Sequence, residues 1–262
     1  MKAKVRAPAV AGMFYPADPV ELRRMLAGFF DRIACTSVEP PKAVIVPHAG
    51  YIYSGPVAAT AYAQLRPAGI RRVVLLGPSH RVAFSGLAVP KSLAWETPLG
   101  EVLIDSQALE KIVRLPQVRF SEAAHELEHS LEVQLPFLQT VLEDFQLIPL
   151  VVGDSTEAEV AEVLDALWGG PETLIVISSD LSHYERYDVA KEKDQATAQA
   201  IVDLDTRGLE PDNACGLLPI AGLVRLVQQK GLRSELLDLR NSGDTAGPRD
   251  AVVGYGAFAF YK

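Results

Sequence analysis

Five histidines fall within four short motifs of this chain. The motifs are Pro47-His48-Ala49-Gly50-Tyr51, Pro78-Ser79-His80, His125-Glu126-Leu127-Glu128-His129-Ser130 and Ser178-Ser179-Asp180-Leu181-Ser182-His183. Three of them follow a short apolar, β-branched run of the kind that forms a strand buried on both faces. In an open α/β sheet, ligands bind beyond the carboxyl ends of the strands, where the loops converge. Imidazoles gathered at that edge suggest a metal site or an acid–base site.

His48 and His80 each close a predicted strand. Adjacent parallel strands would place the two ends ~5 Å apart, and the rings would then share one ion at ~2.0–2.1 Å. The competing reading is that each ring caps a strand end by hydrogen bonding to backbone; two rings in the same context favour the shared ion. Cys215 is a third candidate. The segment Pro211-Asp212-Asn213-Ala214-Cys215-Gly216 precedes the helical pattern Ile220, Leu223, Val224, Val227, and Pro219 suits its first turn. A helix N-terminus favours a thiolate, the form that ligates a metal or attacks an electrophile. The alternative is a small packing residue, which is how Cys35 reads.

Asp180 and His183, three residues apart after a strand, could be ligands, orienting partners of ligands, or an acid–base pair; equally, Asp180 could cap a helix and leave His183 exposed. His125-Glu126-Leu127-Glu128-His129 matches the H-E-x-x-H pattern of zinc peptidases, with Glu126 as general base. Its crowd of carboxylates and a parallel α/β setting argue against that use. His125 is therefore expected to be dispensable, partly exposed and outside the pocket, with His129 pointing inward. There is no G-x-S-x-G elbow and no G-x-x-x-x-G-K loop. Gly254–Ala259 fits G-x-G-x-x-A, but no helix follows to receive a pyrophosphate.

The elements that must position these residues alternate along the chain. An amphipathic helix is predicted over 18–33, with Asp18 as cap and Pro19 in the first turn. Buried strands are predicted at 43–46, 73–76, 147–152 and 174–177, with Pro149 marking an edge or a bulge in the third. Helices are expected from about Pro56 to Leu65, with Ser54 as cap, and from Asp154 to Leu167. Residues 241–248 read as a long polar loop and 251–261 as a last strand. This alternation implies βαβ units and a mostly parallel sheet covered on both faces, a three-layer α/β/α sandwich. No linker or repeat interrupts it, so one domain over 1–262 is expected.

The net charge of −8 and the absence of a Lys/Arg run argue against a nucleic-acid surface. No stretch approaches the ~20 apolar residues of a membrane span. Two cysteines cannot make a disulfide framework, which suits a reducing cytoplasm.

Ala11-Gly12-Met13-Phe14-Tyr15-Pro16, Pro47-His48-Ala49-Gly50-Tyr51, Gly77-Pro78-Ser79-His80, Glu96-Thr97-Pro98-Leu99-Gly100, Glu128-His129-Ser130-Leu131-Glu132, Ser178–His183 and Ala214-Cys215-Gly216 occur in this order. Together they resemble the Memo family, whose bacterial and archaeal members are named as component B of the Amme–Memo–radical-SAM gene set. The resemblance implies a fold similar to the class III extradiol ring-cleaving dioxygenases, and a functional link to an Amme-type protein and a radical-SAM protein. It places His48, His80 and Cys215 as residues that line or ligate a mononuclear metal pocket, with Asp180, His183 and His129 around it as the catalytic candidates. The dioxygenases hold iron through two histidines and a carboxylate. A cysteine in the third place departs from that set and shifts preference toward Cu(I), zinc or thiolate-bound Fe(II).

The expected function is therefore a metal-binding redox protein using iron or copper (or zinc), an oxidoreductase on a small organic substrate. One alternative is a non-catalytic module that holds a peptide or partner protein in the same cleft, with Phe14, Tyr15, Tyr51 and Tyr53 as aromatic anchors. Another is a zinc-dependent hydrolase acting through His125 and His129.

Overall fold

The computed structural model describes residues 4–33, 39–65 and 69–262. Cys35 lies outside them. The strands are β1 (Val5–Arg6), β2 (Ala43–Val46), β3 (Arg72–Pro78), β4 (Leu87–Val89), β5 (Ala94–Thr97), β6 (Gly100–Leu103), β7 (Val118–Phe120), β8 (Gln146–Val152), β9 (Thr173–Ser178), β10 (His183–Glu185), β11 (Arg233–Asn241) and β12 (Val252–Tyr261). The main sheet runs β11-β12-β2-β9-β3-β8-β4-β7, and β10 pairs with the start of β12. Its centre, β2-β9-β3-β8, is parallel. β12 and β4 flank that centre in the antiparallel sense.

The central strands are apolar on both faces because helices cover both faces. The helices Pro19–Phe30, Tyr51–Tyr62 and Leu135–Val141 pack on one another in one layer. Glu157–Ala166 and Leu217–Lys230 pack together in the other, and Tyr187–Val202 lies against β11 and β12. The result is a three-layer α/β/α sandwich. A separate small sheet, β1-β5-β6, carries the start of the described chain. No helix among the described residues is long and apolar enough to cross a membrane.

Four details depart from the sequence expectations. β2 and β3 are not neighbours: β9 lies between them, pairing Val46 with Ser178 on one side and Leu76 with Ile177 on the other. The second helix begins at Tyr51, so Ser54 and Pro56 lie inside it. A tertiary contact supports the earlier start, since the Tyr51 N–H donates to the Phe14 carbonyl from outside the helix. The helix Glu157–Ala166 is capped by Thr156, in a reciprocal capping box with Glu159, and not by Asp154. The polar loop after β11 contains a short helix, Ser242–Thr245, capped by Asn241.

Pro149 sits within an interior strand without a bulge. Gln146 N donates toward β3, so Pro149, three residues on, turns its missing donor to the other side. There β4 pairs only with Val151 and Val152, and no ladder bond is lost.

Candidate metal centre

The carboxyl ends of β2, β9 and β3 deliver His48, Asp180 and His80 to one edge of the sheet. A fourth contribution comes from irregular chain. The helix Ala123–Glu126 stops after one turn, and the segment that follows brings His129 to the same edge. Arg6 on β1 holds that segment in place. Its Nε donates to the His125 carbonyl at 2.7 Å, its Nη2 to the Glu128 carbonyl at 2.8 Å, and its Nη1 pairs with the buried Glu132 at 2.7 Å. Gly77 permits the close approach from the other side, because an added Cβ would lie 2.9 Å from both Ser130 Oγ and Leu131 Cδ2.

His48, His80 and His129 each offer one ring nitrogen within 4.8 Å of the others, a group that could hold a metal ion. The ring centroids are 5.2 Å apart for His48–His80, 5.5 Å for His48–His129 and 4.6 Å for His80–His129. Such separations leave space for one ion between the rings. The Nδ1 of His48 is 3.0 Å from Ser178 Oγ, and the Nδ1 of His80 is 2.9 Å from Glu128 Oε1. Each ring therefore keeps Nε2 for the centre.

Glu128 fixes both sides of this arrangement. It accepts from His80 N at 2.6 Å, and from His129 N and Ser130 N at 2.9 Å each. Burial opposes its charge, but the hydrogen bonds from His80 and Ser130 prevail and hold its pKa at about 2. Burial keeps two of these imidazoles neutral: His129 is lowered to about 4, and His48 lies well below its usual range through desolvation and its histidine neighbours. Neutral imidazole is the form that binds a metal.

The structure brings Cys215 to His48 but not into the three-histidine group. Its Sγ lies 3.2 Å from His48 Nε2 and accepts from Asp180 N at 3.3 Å. Burial and the nearby Asp180 push the thiol up to about 12, so the expected thiolate does not form in the chain by itself. Desolvation outweighs the helix terminus, whose first turn contains Pro219 with no N–H to offer. Asp180 accepts the His48 N–H at 2.7 Å, and burial raises its pKa to about 7. It braces the backbone under His48. His183 opens β10 opposite Val253 and is half-buried; desolvation and the nearby His80 lower its pKa.

His125 corrects one expectation and agrees with another. It lies outside the group, but it is fully buried and not partly exposed. Its Nε2 is 3.0 Å from the Ala88 carbonyl, and its ring lies 5.6 Å from Trp95. Because the helix ends at Glu126, His125 and His129 do not share a helical face, and the H-E-x-x-H spacing has no peptidase geometry. Of the aromatic anchors, Tyr15 and Tyr51 are buried, their hydroxyls donating to Glu132 at 2.7 Å and to the Val133 carbonyl at 2.6 Å. Only Phe14, 4.8 Å from the His129 ring, and Tyr53 are half-exposed. Glu128 and Ser178, which set the histidines, were not singled out by sequence reasoning. Only their place inside the histidine motifs hinted at a role.

The Memo-like protein family model matches residues 6–259. A MEMO1 family protein of Thermoplasma volcanium is 38% identical over 260 residues, covering 96% of each chain. One from Ignicoccus hospitalis is 39% identical over 282 residues, covering 98% of each. One from Aquifex aeolicus is 40% identical over 267 residues, covering 96% of this chain and 97% of that protein. The crystal structure of uncharacterized protein JW3007 from Escherichia coli K12 shares the fold at 12% identity, with a TM-score of 0.52 over 83% of this chain and 99% of that one. Matches of this extent, carried across every segment that builds the histidine cluster, show that the chain belongs to the Memo-like family.

Proposed function

We propose that the chain is a mononuclear metal protein of the redox class, holding iron or copper and acting on a small organic molecule. The observation that supports this most is the convergence of three imidazoles with ring nitrogens within 4.8 Å of one another. The thiol of Cys215, 3.2 Å from His48 Nε2, is a candidate fourth donor. Imidazole suits iron, copper and zinc alike, and a thiolate adds preference for softer ions. Iron or copper would supply electron transfer or oxygen chemistry there. The protein's own part is to hold His48 and His129 neutral, orient His48 and His80 through Ser178 and Glu128, and shelter the thiol. A reducing cytoplasm is the compartment in which such a thiol survives.

Metal analysis of protein purified without oxygen tests the reading. We expect about one iron or copper per chain, lost in His48→Ala and His80→Ala and kept in His125→Gln. Zinc alone would replace the redox reading with a hydrolytic or structural one. Protein free of metal, and refusing it on titration, would leave a binding module.

A further inference from the structure

His48 sits at the end of a chain of buried side chains that reaches into the helix layer. Tyr62, Gln134, Ser178 and His48 are all essentially inaccessible to solvent. Tyr62 Oη donates to Gln134 Oε1 at 2.9 Å. Gln134 Nε2 lies 2.9 Å from the Pro47 carbonyl and 2.7 Å from Ser178 Oγ. Ser178 Oγ lies 2.5 Å from the Ser130 carbonyl and 3.0 Å from His48 Nδ1.

Two carbonyls settle where every hydrogen goes, because a carbonyl oxygen can only accept. The amide end of Gln134 that faces Pro47 O must be the NH2 group. That assignment turns its oxygen toward the Tyr62 hydroxyl and its second hydrogen toward Ser178 Oγ. The hydroxyl hydrogen of Ser178 must go to Ser130 O. Ser178 Oγ then has no hydrogen left for His48 and can only accept from it.

We infer that the buried chain Tyr62–Gln134–Ser178 is a tautomer lock, which keeps the proton of His48 on Nδ1 and its Nε2 lone pair facing the centre. Gln134 and Ser178 are thus positioning residues. The tautomer follows from the hydrogen bonds alone; its purpose rests on the metal reading.

The same polarity is imposed on His80 by a different device. The ionised Glu128 can only accept, so His80 Nδ1 must carry a hydrogen. Both rings therefore present Nε2, one through a neutral chain and one through a carboxylate. The carboxylate makes its imidazole a stronger donor, while the neutral chain orients its ring without adding charge. The Cys215 thiol completes the pattern. With a lone pair on His48 Nε2 at 3.2 Å, the S–H donates to the ring, and the pair is neutral.

Nitrogen-15 NMR of the imidazole rings distinguishes the two tautomers in metal-free protein, and His48→Gln assigns the signal. We expect His48 as the Nδ1–H form. In Ser178→Ala the acceptor is gone, and we expect the population to shift toward the Nε2–H form, with the Cys215 sulfur as acceptor. Cobalt(II) affinity, measured by chelator competition, is then expected to fall roughly 10–100-fold, the usual effect of losing a partner that orients a ligand. A wild-type ring in the Nε2–H form, or an unchanged tautomer in Ser178→Ala, would overturn the lock. The wild-type spectrum decides the matter even if the variant does not fold. If wild-type protein shows the Nδ1–H form yet takes up no cobalt, the lock stands and the metal reading falls.

Discussion

With no exposed surface and one hydrogen bond, from Nε2 to the Ala88 carbonyl, the His125 imidazole is held neutral. Burial lowers its pKa from 6.5 to about 3. The unfolded chain therefore binds a proton below pH 6.5 that the folded chain refuses until about pH 3. Stability from this group is complete above the unfolded value and drains away as pH falls toward the folded one. At about 1.4 kcal/mol per pH unit, lowering the pH to about 5 costs roughly 2 kcal/mol. Urea unfolding at about pH 8 and about pH 5 should show that His125→Gln loses roughly 2 kcal/mol less than wild type over this range. Equal losses would mean that His125 is not held neutral. The sequence marked His48, His80 and His129 as chemistry-bearing from residue type and placement. It did not reveal their partners. His80 and Glu128 are 48 positions apart, and His48 and Ser178 are 130 apart. Pairings of that kind belong to the folded topology and leave no periodic trace. The burial that raises the Cys215 thiol stays hidden for a related reason, because a helix start can be seen in sequence and the depth of burial cannot.

At the scale of elements, the four central strands were legible to within about two residues at each end, because a run buried on both faces is apolar throughout. β11 went unread. Its RSELLDLRN run mixes charge with leucine and lies partly exposed beside β12, where tertiary pairing decides more than local preference. Residues 127–131 have no regular structure, and Arg6 substitutes for it. Its side chain is 3% exposed, bonded to two carbonyls and Glu132, with the guanidinium 4.4 Å from the Trp95 ring centroid. Removing one partner of a buried pair leaves the other charge uncompensated, at about 3–5 kcal/mol. Arg6→Met should lower the unfolding free energy by about that amount. Adding Glu132→Leu should restore less than about half of it. The reason is that Ala9 N, Val10 N and Tyr15 Oη also depend on the Glu132 carboxylate. Full recovery in the double variant would show that the ion pair, and not this wider set of hydrogen bonds, is what holds the segment.

Across the whole molecule, the three imidazoles come from chain segments that meet only when the fold is complete. His48 follows β2, His80 follows β3, β9 separates those strands, and His129 arrives on a segment pinned by β1 of the other sheet. Strand order is not written in local pattern, so β9 between them could not be seen from the residues; the distance that separates the two strand ends is closed by side chains, with Ser178 on β9 touching His48. A site assembled in this way does not exist in the unfolded chain, so a ligand of the three rings must act on global unfolding. Cobalt(II) at about 100 times its dissociation constant should add about 2.7 kcal/mol. For a chain of this size that corresponds to roughly 5–11 °C in unfolding midpoint. Hydrogen exchange should slow together in β2, β3, β9 and β1, since one ion would couple all four. In the double variant His48→Ala/His129→Ala both effects should vanish, whereas His125→Gln should keep them. Stabilisation that survives loss of His48 and His129 would place the ion elsewhere on the protein. Protection confined to the loops after β2 and β3 would mean that the rings close on a metal without linking the two sheets.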